Sequence, residues 1–188
     1  MTDGVSLLSR VAASIAQGQP SETGKEQKSI LSQAAASYAR KPDGAEATIP
    51  TGFDPLAASL FEAVIEAAFL VANADGDFDV TERDTFEKVF HEACHNTVQR
   101  GDVSALVADL EDQLQEDGLD RRLEMVASVV RTDEQKQEVL RIAALMAHIS
   151  GGVDATERHV LDQLAAKFGL DPSIVAHAVD QAGRALGA

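Results

Sequence analysis

The sequence predicts an all-α fold, a helical bundle of about seven helices preceded by a loosely attached N-terminal segment. Of its 188 residues, 45% are apolar, and there is no Trp and only one Tyr, so a core must be mainly Ala, Leu, Val and Ile. Ala and Leu favour helices, and β-branched residues form no alternating runs. A segment that recurs 75 residues later supports the same architecture. We expect no sheet.

Residues 1–52 are predicted to form an N-terminal arm and linker. Apolar residues at helical spacing predict a short amphipathic helix over residues 4–17, and a second helix is predicted over 25–40. Residues 41–52 are rich in turn residues and poor in apolar ones, which is typical of a linker. We therefore expect a flexible or partly helical arm and a helical domain over 53–188 that stays folded when the arm is removed.

The domain itself is divided into helices by clear end signals. Thr132 and Gln135 have the spacing of a capping box. Gly169 is a stop signal, and Asp171 followed by Pro172 is typical of a helix start. The predicted helices are 55–73, 80–96, 102–115, 119–130, one from the Thr132 cap to 149, 154–168, and a last one after Pro172.

Residues 76–83 and 151–158 are two copies of one turn, with five of eight positions identical. Each copy lies between two apolar helices, so the repeated unit is a helix hairpin. Two such hairpins can pack together with approximate two-fold symmetry. We predict that they superpose, that Asp79 and Asp154 both lie at helix N-termini, and that the two turns share comparable environments.

The chain is strongly acidic, with a formal net charge of −15. Residues 1–50 hold five basic and five acidic side chains, so the excess lies entirely in the remainder. Such a surface repels nucleic acid and anionic lipid and suits cations or basic proteins, so we expect protein partners and no nucleic-acid or membrane partner. Residues 102–120 hold seven acidic side chains and no basic one, which indicates a solvated face or a docking surface for a basic partner.

The location indicated by the sequence is the cytoplasm. Cys94 is the only cysteine, so no intramolecular disulfide can form, which is typical of a reducing compartment. The first residues lack a basic region followed by an apolar run, so no signal peptide is predicted. We also expect no apolar stretch of membrane-spanning length.

The first turn resembles the signature of a known family. Ala74, Asp75 and Gly76, followed by Glu82 and Arg83 between two apolar helices, are similar to the motif of the TerB (tellurite-resistance) family. The second turn resembles the other half of that fold, and the resemblance covers residues from about 55 to 183. It implies an all-helical domain with internal duplication. It also implies a binding or scaffold module, rather than an enzyme, of bacterial systems that resist tellurite and other chemical stress.

The resemblance further implies that acidic residues at the hairpins bind a metal cation. Asp75 and Glu82 match the acidic pair of the family, and Glu157 matches its second copy. Ser150 is a departure, because it stands where the counterpart of Asp75 is expected.

Carboxylates are concentrated in the first turn and recur in the second. Close carboxylates become tolerable together once a cation neutralises them, and calcium takes six to eight oxygen ligands. Calcium is our first expectation, while manganese, magnesium or zinc are alternatives. The competing interpretation is that the acids only form capping boxes. We predict the stronger site at the first turn. The predicted metal ligands are Asp75, Asp77, Asp79, Glu82, Asp154 and Glu157.

An alternative function comes from His91, Glu92 and His95, which match the zinc-peptidase pattern H-E-x-x-H. On a helix the two histidines would lie one turn apart and could bind zinc, with Glu92 as general base and Glu111 or Glu116 as a third ligand. The competing interpretation is a chance match at a polar helix end. A further alternative is a plain helical interaction domain without metal. We favour the non-enzymatic cation-binding module.

Overall fold

The structure is a computed structural model that describes residues 3–18, 29–40 and 53–187. These ranges contain nine α-helices and no strand, which confirms the all-α fold. A short 3₁₀ turn, His148–Ser150, follows the seventh helix. The helices are α1 (Asp3–Gln17), α2 (Ile30–Tyr38), α3 (Pro55–Ala72), α4 (Val80–Ala93), α5 (Arg100–Asp117), α6 (Leu119–Val129), α7 (Asp133–Ala147), α8 (Ala155–Lys167) and α9 (Ser173–Leu186).

Helices α3 and α7 form the centre of the bundle. They pack against each other, α2 and α6 pack on α3, and α9 packs on α7. Every residue of α7 from Glu138 to Ala147 is buried, and so are almost all residues of α3 from Phe61 to Val71. Helices that are apolar on nearly all sides belong at the centre of a fold because each face meets another helix.

By length and composition α3 could cross a membrane, contrary to our expectation that no apolar stretch reaches that length. Its apolar character has another explanation in this fold. The helix is largely enclosed by its neighbours, and its acidic residue Glu66 is only 7% exposed. Arg122 of α6 donates a hydrogen bond from Nε to Glu66 Oε1 at 2.6 Å, so the buried charge is paired.

The two N-terminal helices share the same apolar core. On α1, Val11 and Ile15 are fully buried, and α1 packs against α4, α7 and α9. On α2, Leu31 is fully buried, and the Tyr38 ring lies 4.5 Å from the ring of Phe61 on α3. The domain boundary at residue 52 stays a prediction. Residues 25–28, where the second helix was expected to start, and the expected linker over 41–52 lie outside the described residues.

Hydrogen bonds of two arginines, Arg10 and Arg141, connect α1 to distant parts of the chain. Arg10 donates from Nη1 to the carbonyl oxygen of Leu186 at 2.7 Å, at the end of α9. Arg141 on α7 donates from Nη1 to the carbonyl oxygen of Ser14 at 3.0 Å and is paired with Glu138 at 2.7 Å. Helix α1 is therefore connected by hydrogen bonds both to α7 and to the end of α9.

The end of α4 differs from the prediction. The helix ends at Ala93 rather than at residue 96. His95 and Asn96 adopt φ angles of 51° and 58°, in the left-handed region. A residue in that conformation cannot continue a right-handed helix, so His95 lies outside α4.

Candidate functional site

The two repeated turns start their following helices in the same way. Asp79 Oδ1 accepts hydrogen bonds from the backbone N–H groups two and three residues later at 2.6 and 2.8 Å. Asp154 Oδ1 accepts the equivalent pair at 2.7 and 2.8 Å. Glu82 and Glu157 complete the capping boxes by accepting from the backbone N–H of Asp79 and Asp154 at 3.0 and 2.9 Å. Both aspartates therefore lie at helix N-termini, as predicted.

An apolar side chain fixes each turn to the core. The Phe78 ring lies edge-on to Phe69 of α3 at 5.4 Å and to Phe86 of α4 at 5.8 Å between ring centroids. Its counterpart Val153 is half-buried against the same core. This packing explains why an apolar residue stands among polar residues in both copies.

The backbone conformation differs between the two turns. In the first, Asp75 Oδ1 accepts a hydrogen bond from the backbone N–H of Asp77 at 3.0 Å, and Gly76 has a φ of 82°. In the second, the 3₁₀ turn leads to Gly151 and Gly152, whose φ angles are 117° and 116°. Residues with side chains rarely adopt these angles, so glycine allows both reversals.

Both turns line one cleft of about 490 Å³. The first turn and α4 contribute Asp75 and Glu82, and the second turn and α8 contribute Asp154 and Glu157. None of the described lining residues is basic. The repeat therefore places four carboxylates around one space. The remaining lining residues are Ala72, Phe78, Thr81, Thr85, Phe86, Met146, Ile149, Gly151 and Gly152.

The cleft contains four of the six predicted metal ligands. Asp77 and Asp79 are not part of its lining; both are exposed, and Asp79 acts as the helix cap. Within the described residues, no group of three or more His, Cys, Asp or Glu side chains is close enough together to hold a metal ion. The cleft thus has a strongly acidic lining, but its carboxylates do not converge on one point.

The two capping glutamates that line the cleft differ in exposure. Glu157 is 8% exposed, whereas Glu82, its counterpart, is exposed. The sequence analysis missed the apolar half of this cleft, notably Phe86, Met146 and Ile149. Nothing in the sequence alone showed that the ends of α3 and α7 leave a space between them.

The H-E-x-x-H pattern does not form the arrangement that zinc peptidases require. His91 lies in the last turn of α4, and its Nδ1 is 2.9 Å from the carbonyl oxygen of Val98. His95 lies beyond the helix end, so the two imidazoles are not one helical turn apart. Glu111, a suggested third ligand, is ion-paired with Arg83. The H-E-x-x-H pattern therefore does not form a zinc-peptidase geometry in this part of the described chain.

Cys94 is a buried residue of the core. It caps α4 and is 2% exposed. Burial raises the pKa of its thiol to about 12. The thiolate is the form that binds metals and reacts, so burial disfavours both roles for this cysteine.

The acidic segment over 102–120 is partly neutralised within the fold. Glu111 pairs with Arg83, Asp117 pairs with Arg122 at 3.0 Å, and Asp120 pairs with Lys167 at 2.7 Å. The other acidic side chains of the segment are exposed, and they are Asp102, Asp109, Asp112 and Glu116.

One comparison with known proteins gives a match. A family model described as Tellurite resistance protein TerB matches residues 61–181. No curated protein and no solved structure matches the chain. The matched residues contain both repeated turns and all residues that line the cleft, and they leave α1 and α2 outside.

Proposed function

Because this chain belongs to the TerB family of tellurite-resistance proteins, we propose that it is a non-enzymatic cation-binding module. The cation is divalent, calcium before manganese or magnesium, and it binds in the cleft between the two repeated turns. The observation that carries the proposal is that Asp75, Glu82, Asp154 and Glu157 line the same cleft.

Electrostatics supports a cation in this cleft. Four carboxylates line it, and none of the described lining residues is basic. Like charges at short range repel each other, and a cation between them replaces repulsion by attraction. The capping boxes account for the N-cap hydrogen bonds, but they do not account for Asp75, which caps no helix and lies at the cleft.

Helix capping leaves the carboxylates able to bind a cation. An ionised carboxylate has two oxygens and about four lone-pair positions. Asp154 uses Oδ1 for both of its capping hydrogen bonds, and Glu82 uses Oε2 for its own. The interpretations that competed at the level of the sequence, capping and cation binding, are therefore compatible in one structure.

The donor chemistry favours hard cations. Carboxylate and hydroxyl oxygens line the cleft, whereas histidine and cysteine are not among its described lining residues. Oxygen donors suit calcium, magnesium and manganese better than zinc. The carboxylates are not gathered in a group of three. Magnesium would therefore be held partly through water, which is common for this ion. Calcium would be held after side chains reorient, which its flexible coordination allows.

We also propose that the module acts through protein partners in the cytoplasm. The exposed acids of α5, including Asp109, Asp112 and Glu116, support a basic partner. The buried thiol of Cys94 is compatible with a reducing compartment.

The test is calorimetric titration with calcium, manganese and magnesium, together with melting temperatures. A ligand at about 100 times its Kd stabilises the native state by about 2.7 kcal/mol, so binding should raise the melting temperature. Binding should weaken as the pH falls, because protons compete with the cation for the carboxylate oxygens. If the wild-type chain shows neither heat of binding nor a thermal shift, helix capping is the only role left for these carboxylates.

Variants locate the site. We expect Asp75→Asn to weaken binding more than Glu157→Gln, because the first turn carries more acidic residues. Asp112→Asn, an exposed acid on α5 outside the cleft, is the matched control and should bind as the wild type does. Loss in Asp75→Asn with full retention in Glu157→Gln would place the cation on the first turn alone.

A further inference from the structure

The cleft is too large and too apolar to be explained by a metal ion alone. Its volume is about 490 Å³. Oxygen ligands hold calcium at roughly 2.3–2.6 Å, which needs converging groups. The described carboxylates provide no such group of three. The volume instead lies in the range of about 300–1,000 Å³ that is typical of sites for organic molecules.

Apolar side chains form much of the lining. Phe78 and Phe86 come from the first unit, and Met146 and Ile149 come from the second. Apolar walls gain nothing from a hydrated ion, but they stabilise a ligand that presents methylene groups. The lining therefore matches a molecule that is cationic at its ends and aliphatic between them.

We propose that the cleft binds a linear aliphatic diamine or polyamine. This inference rests on the proposed cation-binding function and names an organic class of cation for the same site. Ammonium groups donate charge-assisted hydrogen bonds to the carboxylates of both turns, Asp75 and Glu82 on one and Asp154 and Glu157 on the other. The methylene chain contacts the apolar walls. A lysine side chain of a partner protein has similar chemistry, but its single ammonium group serves one turn only.

The test uses three diamines of equal charge and different length. The probes are 1,3-diaminopropane, 1,4-diaminobutane and 1,5-diaminopentane, each titrated into the full chain by calorimetry at neutral pH and fixed ionic strength. We expect affinity to rise along the series, by up to about fourfold for each additional buried methylene. Butylamine, with one ammonium group, should bind at least about tenfold more weakly than 1,4-diaminobutane. The inference would be overturned if all three diamines and magnesium bound with equal affinity. It would also be overturned if butylamine bound as tightly as 1,4-diaminobutane.

Variants separate the cleft from general surface charge. Glu82→Gln should weaken 1,4-diaminobutane binding about tenfold. Glu82 is exposed, so the variant should fold, and its melting temperature checks this. Ile149→Ser should flatten the dependence on chain length, because it removes apolar surface from the wall that the methylene groups contact. Asp112→Asn is the control, and weakening as large as that in Glu82→Gln would show diffuse attraction and contradict a built site.

The outcomes with calcium distinguish this inference from the function on which it rests. Binding of calcium without binding of any diamine overturns the inference and leaves the proposed function. Binding of 1,4-diaminobutane without calcium supports the inference and overturns the proposed divalent ion. If both bind, calcium should displace the diamine, because they share Asp75 and Glu82. Binding of neither overturns both.

Discussion

Replacing Ile15 on α1 by alanine tests whether the N-terminal helix belongs to the folded unit. Ile15 is fully buried, and its helix packs against α4, α7 and α9. Truncation of a buried isoleucine to alanine costs about 2–5 kcal/mol, because transfer free energy is lost and a cavity remains. Alanine also has the higher helix propensity, which offsets up to about 0.7 kcal/mol. A net loss of about 3 kcal/mol is therefore expected.

Urea denaturation and thermal melting measure this loss. For a chain of this size, about 3 kcal/mol corresponds to a fall in melting temperature of roughly 6–12 °C. Leu56→Ala is the matched control, because Leu56 is also an aliphatic residue on a helix but is 67% exposed. That control should change the free energy of unfolding by less than about 0.5 kcal/mol.

A refuting result is an Ile15→Ala variant as stable as Leu56→Ala, since α1 would then not be packed in solution. The same reasoning changes our expectation for truncation. From the sequence we expected removal of residues 1–50 to leave the bundle intact. Because Val11, Ile15 and Leu31 are fully buried, we now expect the truncated chain to be strongly destabilised.

Two further predictions concern charge and capping. Arg122→Met should cost about 3–5 kcal/mol at pH 7, because Glu66 loses its buried partner. Burial raises the pKa of Glu66 even though Arg122 lowers it. A carboxyl whose native pKa is raised contributes stability that is present below its unfolded-state pKa and is lost as the pH rises through its native pKa. The free-energy cost of Arg122→Met, measured by urea titration, should therefore be smaller near pH 4. Asp79→Ala and Asp154→Ala should each cost about 1 kcal/mol. A clear difference between these two caps in urea denaturation would contradict their equivalence.

The features that the sequence predicted well are local ones. A capping box is formed by residues three apart, so Asp79 with Glu82 and Asp154 with Glu157 could be identified without knowledge of the fold. The repeat indicated that the two turns have comparable environments, and both turns do line one cleft, although Glu157 is buried and Glu82 is exposed. Four of the six predicted ligands line one cleft because the repeated hairpins place them there.

The features that the sequence did not predict depend on contacts between distant residues. The end of α4 at Ala93 reflects left-handed conformations at His95 and Asn96, which no pattern of apolar residues encodes. The packing of α1 depends on surfaces of α4, α7 and α9 that exist only in the folded chain. An amphipathic helix shows that it has an apolar face, but not what covers that face.

The contact between α1 and α9 has a consequence for how the chain is made. Arg10 and Leu186, which are joined by a hydrogen bond, are 176 residues apart. At a synthesis rate of about 5–20 residues per second, roughly 10–35 s pass between their translation. During that interval the apolar face of α1, with Val11 and Ile15, has only part of its binding surface. Among the described helices, the one that is translated first waits longest for its contacts to be completed, and until then its face is available to chaperones.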